Sequence, residues 1–159
     1  MARQSPVLAP KRLFTQIVTL QLAYYVLGLV MITFAVLILG LPWEPHYVFS
    51  WVDVRADTSL GWLLALLWLM DAMFSVLALV IIVGRSKLAT DFGLTLYGLN
   101  FVVVTLYSGI PRSWLWWALQ VVSAFLTVYA GRWASQWREL QRTFFEEFEL
   151  ADIARERQP

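Results

Sequence analysis

The sequence predicts an all-α membrane protein: a bundle of four transmembrane helices followed by a C-terminal amphipathic cytosolic helix. Composition is the first reason, since 60% of the 159 residues are hydrophobic and only 14% are charged, whereas a soluble domain carries roughly a quarter of its residues as Asp, Glu, Lys or Arg. Distribution is the second. Charges gather at the chain ends and in short breaks between long apolar runs, the pattern of loops between membrane spans. The third is periodicity: the apolar runs show no alternation of period two, which excludes a closed β-barrel. Hydrocarbon offers no partner to backbone N–H and C=O groups, so each run must pair its own as a helix.

In chain order, a cytosolic N-tail covers residues 1–15. Spans are expected at about 16–40, 60–84, 92–108 and 114–131, each approaching the roughly 20 residues that cross about 30 Å of hydrocarbon. A segment over 41–59 and tight turns over 84–91 and 109–113 join them. The first apolar run, from Ile17 to Leu39, exceeds the roughly 7–15 residues of a signal-peptide core, so it is a retained span. Residues 132–159 form a cytosolic helix and tail. There Trp133, Trp137, Leu140, Phe144 and Phe148 recur at helical spacing, with Arg138, Glu139, Arg142 and Glu146 on the other face. Such a helix lies along the membrane interface as a continuation of span four, or it docks a cytosolic partner.

Orientation follows from the 12 Lys and Arg residues. Arg3, Lys11 and Arg12 lie in the N-tail, Arg85 and Lys87 in the middle turn, and Arg132, Arg138, Arg142, Arg155 and Arg157 after span four. Arg55 and Arg112 alone fall on the opposite side. The positive-inside rule therefore makes both termini cytosolic.

Several chemistries are excluded. The chain has no cysteine, hence no disulfide, thiolate metal site or cysteine nucleophile. Asn100, the sole asparagine, is followed by Phe101 and Val102, so there is no N-glycosylation acceptor. The single histidine, His46, sits near Glu44 in the non-cytosolic segment, and one His without Cys supports no transition-metal site. No phosphate-binding loop, nucleophile elbow or nucleic-acid-binding basic patch occurs. No enzymatic activity and no cofactor are expected.

The informative residues are polar groups inside the apolar runs. Asp71 sits near the middle of span two, where an ionised carboxylate costs several kcal/mol; it must be neutral, paired or wet. Asn100 lies near the middle of span three, at a depth that makes an Asp71–Asn100 hydrogen bond reasonable. Gln120, Ser123 and Thr127 form a small polar stripe on span four, while span one contributes Gln21, Tyr24, Tyr25 and Gly28. One account of this set is helix-to-helix glue, each bond adding roughly 0.5–2 kcal/mol. Another is a polar cavity that admits a ligand or a peptide end. A third makes the protein a small proton-coupled carrier using Asp71.

The order of segments carries a resemblance. TQIVTLQLAYY over 15–25, LLWLMDAMFSVLALVIIVGRSKLATDF over 66–92, TLYGLNFVVVTLY over 95–107, IPRSWLWWALQ over 110–120 and RWASQWRELQRTFFE over 132–146 together resemble the Sys one family of Golgi integral membrane proteins, most of all its fungal members. The resemblance implies a four-span resident of the Golgi and trans-Golgi network that supports vesicle-mediated traffic between endosome and Golgi. It would act as receptor for an Arf-related small GTPase with an acetylated N-terminus. Members commonly have histidine where this chain has Tyr97, and some have a second where it has Asn100. An acetyl group is too small to anchor a protein to lipid, so a membrane receptor must supply the affinity. Gln21, Tyr25, Asp71, Asn100 and Gln120 are therefore expected to line a cytosol-accessible cleft for the GTPase N-terminus. Arg85, Lys87, Trp137 and Arg138 are expected to dock its surface.

Overall fold

A computed structural model describes residues 10–156. The first nine residues, with Arg3, and residues 157–159, with Arg157, lie outside the described residues, so the orientation argument drawn on those two charges is not addressed there. The helices are α1 (Pro10–Ile38), the short α2 (His46–Phe49), α3 (Ser59–Ile82), α4 (Ser86–Ser108) and α5 (Trp114–Glu156). All but α2 are long and apolar enough to cross a membrane.

Local chemistry sets several boundaries. Thr58 caps α3 by accepting the Gly61 N–H, and a side chain on Gly61 would collide with the Arg55 backbone, so the loop closes directly over the helix start. After α3, Gly84 takes a positive φ of 61° and reverses the chain within 83–85.

That turn is shorter than the 84–91 expected, and α4 begins at Ser86 instead of residue 92. The charged stretch Arg85 to Asp91 reads as loop in sequence, yet it is helix because its exposed N-terminus has a partner from elsewhere. Glu139 on α5 accepts both the Ser86 backbone N–H at 3.0 Å and the Ser86 hydroxyl at 2.8 Å. The expected continuation of span four beyond residue 131 is also helical. No break occurs at residue 131: α5 is one helix of 43 residues, about 65 Å at 1.5 Å per residue and roughly twice the hydrocarbon thickness. Its continuation does not lie flat at first, since Ser135 is buried and Arg138 Nη1 donates to the Val80 carbonyl at 2.8 Å. Beyond residue 138 every described side chain is exposed.

The helices pack with α5 against both α3 and α4, α1 against α3, and only light contact between α1 and α4 or between α3 and α4. Lipid tails are as apolar as leucine, so association depends on close packing and interhelical hydrogen bonds. Small residues allow it. A Cβ on Gly93 would meet Val128 at 2.8 Å, and one on Gly131 would meet Leu79 at 3.0 Å. At the end opposite the α3–α4 turn, called here the loop end, the 39–58 segment folds onto the bundle and buries Tyr47, Val48 and Val54. Ser113 Oγ donates to the Val54 carbonyl at 2.6 Å, and the Trp51 indole donates to the Ser108 carbonyl at 3.2 Å. The end carrying Arg85 and Lys87 is the basic end.

At the basic end, Arg138 and Glu139 address two helix termini of opposite polarity: the guanidinium meets carbonyls at the end of α3, and the carboxylate meets amides at the start of α4. Glu139→Ala is expected to destabilise the protein by about 1–2 kcal/mol, the range for losing a helix cap, and to raise amide exchange at Ser86. Unfolding in detergent and hydrogen exchange check both.

Candidate functional site

The polar side chains of the four long helices meet in the bundle interior. On α5, Thr127 is fully buried; its hydroxyl bonds the Tyr97 hydroxyl at 2.9 Å and donates to the Ala72 carbonyl of α3 at 3.3 Å. One side chain thereby joins α3, α4 and α5. Tyr24 of α1 stacks on Trp68 of α3, with ring centroids 5.2 Å apart, and presents its edge to Tyr97 at 6.0 Å.

Beside it, Tyr25 donates to Asn100 Oδ1 at 3.1 Å, the bond that closes the lightly packed seam between α1 and α4. Asn100 is thus engaged by Tyr25 and not by Asp71, which corrects the expected pair. The reason is the packing order. Because α5 lies against both α3 and α4, these neighbours in sequence barely touch, and a residue on the inner face of α3 looks toward α1 and α5. Asp71 is 0% exposed and neither carboxyl oxygen has a hydrogen-bond partner among the described residues. An ionised carboxylate there would stand unpaired, the costly case for a buried charge.

Asn100 and Gln120 share a cavity with Tyr24, Tyr97, Ser123 and, from the loop, Ser50. Its volume is about 10 Å³, at the limit of what a single water needs. Loop residues Val48 and Val54 also wall it, so it lies toward the loop end and not at the basic end. Asp71, Gln21 and Tyr25 are not among its walls. Four of the five residues expected to share one cleft divide three ways: Asn100 and Gln120 at the cavity, Tyr25 bound to Asn100 across the seam, and Asp71 apart on α3. Gln21 lies one turn from Tyr25 toward the basic end, with both carboxamide atoms buried and without a hydrogen-bond partner among the described residues.

At the basic end, Arg85, Lys87 and Trp137 are exposed. Arg138, expected to dock a partner, is engaged by Val80. Trp137 stands edge-on to Trp133 at 6.1 Å, and Phe144 and Phe148 extend the same exposed stripe. Sequence reasoning missed the Glu139–Ser86 cap and Gln16, whose Nε2 donates to the Ile82 carbonyl at 2.9 Å. A usable signal for Gln16 was its position at the very start of an apolar run. None existed for Glu139, which looks like any solvated charge.

At the loop end His46 is held on both ring nitrogens, by Glu44 at 2.8 Å and Asp53 at 3.0 Å. Its contacts brace α2 against the following turn. Among the described residues no group of three or more His, Asp or Glu is arranged to hold a metal ion.

Comparison with known proteins gives a consistent result. The family described as SYS1, integral membrane protein S linking to the trans Golgi network, matches residues 3–145. Protein SYS1 of Saccharomyces cerevisiae is 39% identical over 140 residues, covering 87% of this chain and 69% of the yeast protein. A SYS1 homolog of Dictyostelium discoideum is 26% identical over 133 residues, 82% of this chain and 56% of that protein. One of Nematostella vectensis is 25% identical over 132 residues, 83% of this chain and 84% of that protein. No solved structure matches.

Two substitutions separate the roles of the interior groups. Asp71→Asn is expected to keep stability within about 1 kcal/mol or raise it, because a neutral amide suits an unpaired site at least as well as a carboxylate. Thr127→Val leaves the buried Tyr97 hydroxyl without this partner and removes the tie from α5 to the Ala72 carbonyl, which keeps its place in the α3 ladder; it is expected to cost about 1–2 kcal/mol. Unfolding measurements in the same detergent compare the two; a larger loss for Asp71→Asn than for Thr127→Val would contradict this assignment.

Proposed function

The chain belongs to the SYS1 family of integral membrane proteins linked to the trans Golgi network, and from that premise we propose that it is a membrane receptor for an Arf-related small GTPase with an acetylated N-terminus. It has no catalytic step and no cofactor in this account. In this reading both chain termini and the basic end face the cytosol, which the Lys and Arg distribution supports.

The observation that carries the reading is Gln21. A buried carboxamide with neither its donor nor its acceptor used is costly unless something fills both. An acetylated N-terminus offers one carbonyl and one amide N–H, the complement of that carboxamide. Gln21 lies on the basic-end side of the α1–α4 seam, the lightly packed boundary that the Tyr25–Asn100 bond closes. Entry of the GTPase N-terminus between α1 and α4 from the cytosol brings it to Gln21 first, then to Tyr25 and Asn100. The cavity of Asn100 and Gln120 has room for about one water, so it receives no peptide end without that seam opening. Arg85, Lys87 and Trp137, exposed at the same end, are the docking residues for the folded GTPase. Arg138 supports them by anchoring α5. This arrangement serves protein targeting to the Golgi and vesicle-mediated transport.

The carrier reading needs a wet path to Asp71, and the polar cavity of the bundle stops short of that residue. Nothing about the site favours it further.

Capture of the GTPase from detergent with acetylated and unacetylated N-termini tests the proposal. The acetylated form is expected to bind about tenfold better, equivalent to roughly 1.4 kcal/mol, and Gln21→Leu is expected to erase the difference. Charge reversal at Arg85 and Lys87 should weaken both forms alike. Equal capture of the two forms by the unaltered protein would refute an acetyl-reading site.

A further inference from the structure

The loop end carries a second pair of recesses, unrelated to the cytosolic site. Between the loop-end halves of α3 and α5 runs a groove of about 350 Å³, walled by Trp62, Leu66, Leu69, Leu115, Ala118 and Val122. Its walls are almost wholly apolar. On α3 its walls run from Trp62 to Leu69, seven residues or about 10 Å of helix, enough for the upper part of an acyl chain within one leaflet of the roughly 30 Å hydrocarbon core.

Next to it, a recess of about 380 Å³ has Trp51, Val52 and Ala56 on its largely apolar walls and Arg55, Asp57 and Arg112 as its charged groups. Trp114 borders both. The recess carries one uncommitted charge. Arg55 is bound to Asp57 through two donors at 2.9 and 2.5 Å, which neutralises it. Arg112 is exposed and makes no ion pair or hydrogen bond through its side chain among the described residues. An apolar slot headed by an uncommitted guanidinium and joined to it by a tryptophan has the shape and polarity of the upper part of a lipid with an acyl chain and an anionic head.

We propose that these two recesses form one binding site for a single glycerophospholipid, with Arg112 holding the phosphate and one acyl chain lying in the α3–α5 groove. Guanidinium suits this role because its fork of donors meets phosphate oxygens in pairs. Ala118 matters by its size: a larger side chain there fills the groove. Trp114 lies where indole groups sit at membrane surfaces, beside both parts of the lipid. Each recess falls in the size range of ligand sites, about 300–1,000 Å³.

The test uses the full chain, purified in detergent and stripped of lipid, titrated in native mass spectrometry with dioleoyl phosphatidylglycerol, with dioleoylglycerol and with inorganic phosphate. One phosphatidylglycerol is expected to remain bound at activation energies that remove further copies, while dioleoylglycerol and phosphate alone are not retained. Arg112→Gln should lower its occupancy about tenfold, Arg112→Lys should restore most of it, and Ala118→Phe should block the lipid. Arg112 and Ala118 are both exposed, and unchanged helical circular dichroism verifies that the variants fold. Equal retention by Arg112→Gln and Ala118→Phe, equal retention of dioleoylglycerol, or a statistical ladder of interchangeable lipids would each overturn the proposal.

Discussion

The bundle depends on α5 lying against both α3 and α4. A turn of three residues joins α3 to α4, which in water would normally give two antiparallel helices packed side by side. In lipid that pairing has no hydrophobic advantage, and the better solution is the one with the closest backbone approach and the most interhelical hydrogen bonds. Gly93 and Gly131 let Val128 of α5 and Leu79 of α3 come within van der Waals reach of helix backbone, and Thr127 then bonds α3 and α4 at once. From this order follow the isolation of Asp71 from Asn100 and the thin seam that α1 makes with α4.

The same arrangement explains the long reach of α5. A helix ending near residue 131 would leave amides at the start of α4 and carbonyls at the end of α3 without partners at the basic end. By continuing, α5 brings Glu139 to the first and Arg138 to the second. The charges that appear in sequence as one solvated face thus include two that hold the bundle together, while Trp133, Trp137, Phe144 and Phe148 remain exposed. Anchoring the first turns of the extension is what gives its outer turns a defined direction from the basic end.

The number of spans, the helical class and the family were legible because hydropathy and run length depend on solvent, and solvent leaves its mark on every residue. The mid-depth polar groups were equally visible: Asp71, Asn100, Gln120 and Thr127 all lie inside apolar runs and all face the interior or its cavity. Their partners were not legible. Depth along a helix follows from counting residues, but the neighbour it faces depends on helix order, and that order rests on contacts such as Gly93 with Val128 that have no signature in one sequence. For the same reason Arg85 to Asp91 reads as loop: charge signals water, and Ser86 is drawn into a helix by a carboxylate 53 positions away. Tyr97 likewise gives no sign in the sequence that its hydroxyl reaches Thr127 across the interior.

The chain's lack of cysteine makes cross-linking in native membranes the most direct check on helix order. With Gly93→Cys and Val128→Cys in one chain, an oxidant is expected to form an intramolecular disulfide readily, whereas Asp71→Cys with Asn100→Cys is expected to stay reduced. The opposite outcome, a bond between positions 71 and 100 and none between 93 and 128, would mean that α3 and α4 pair directly and that α5 does not organise the bundle.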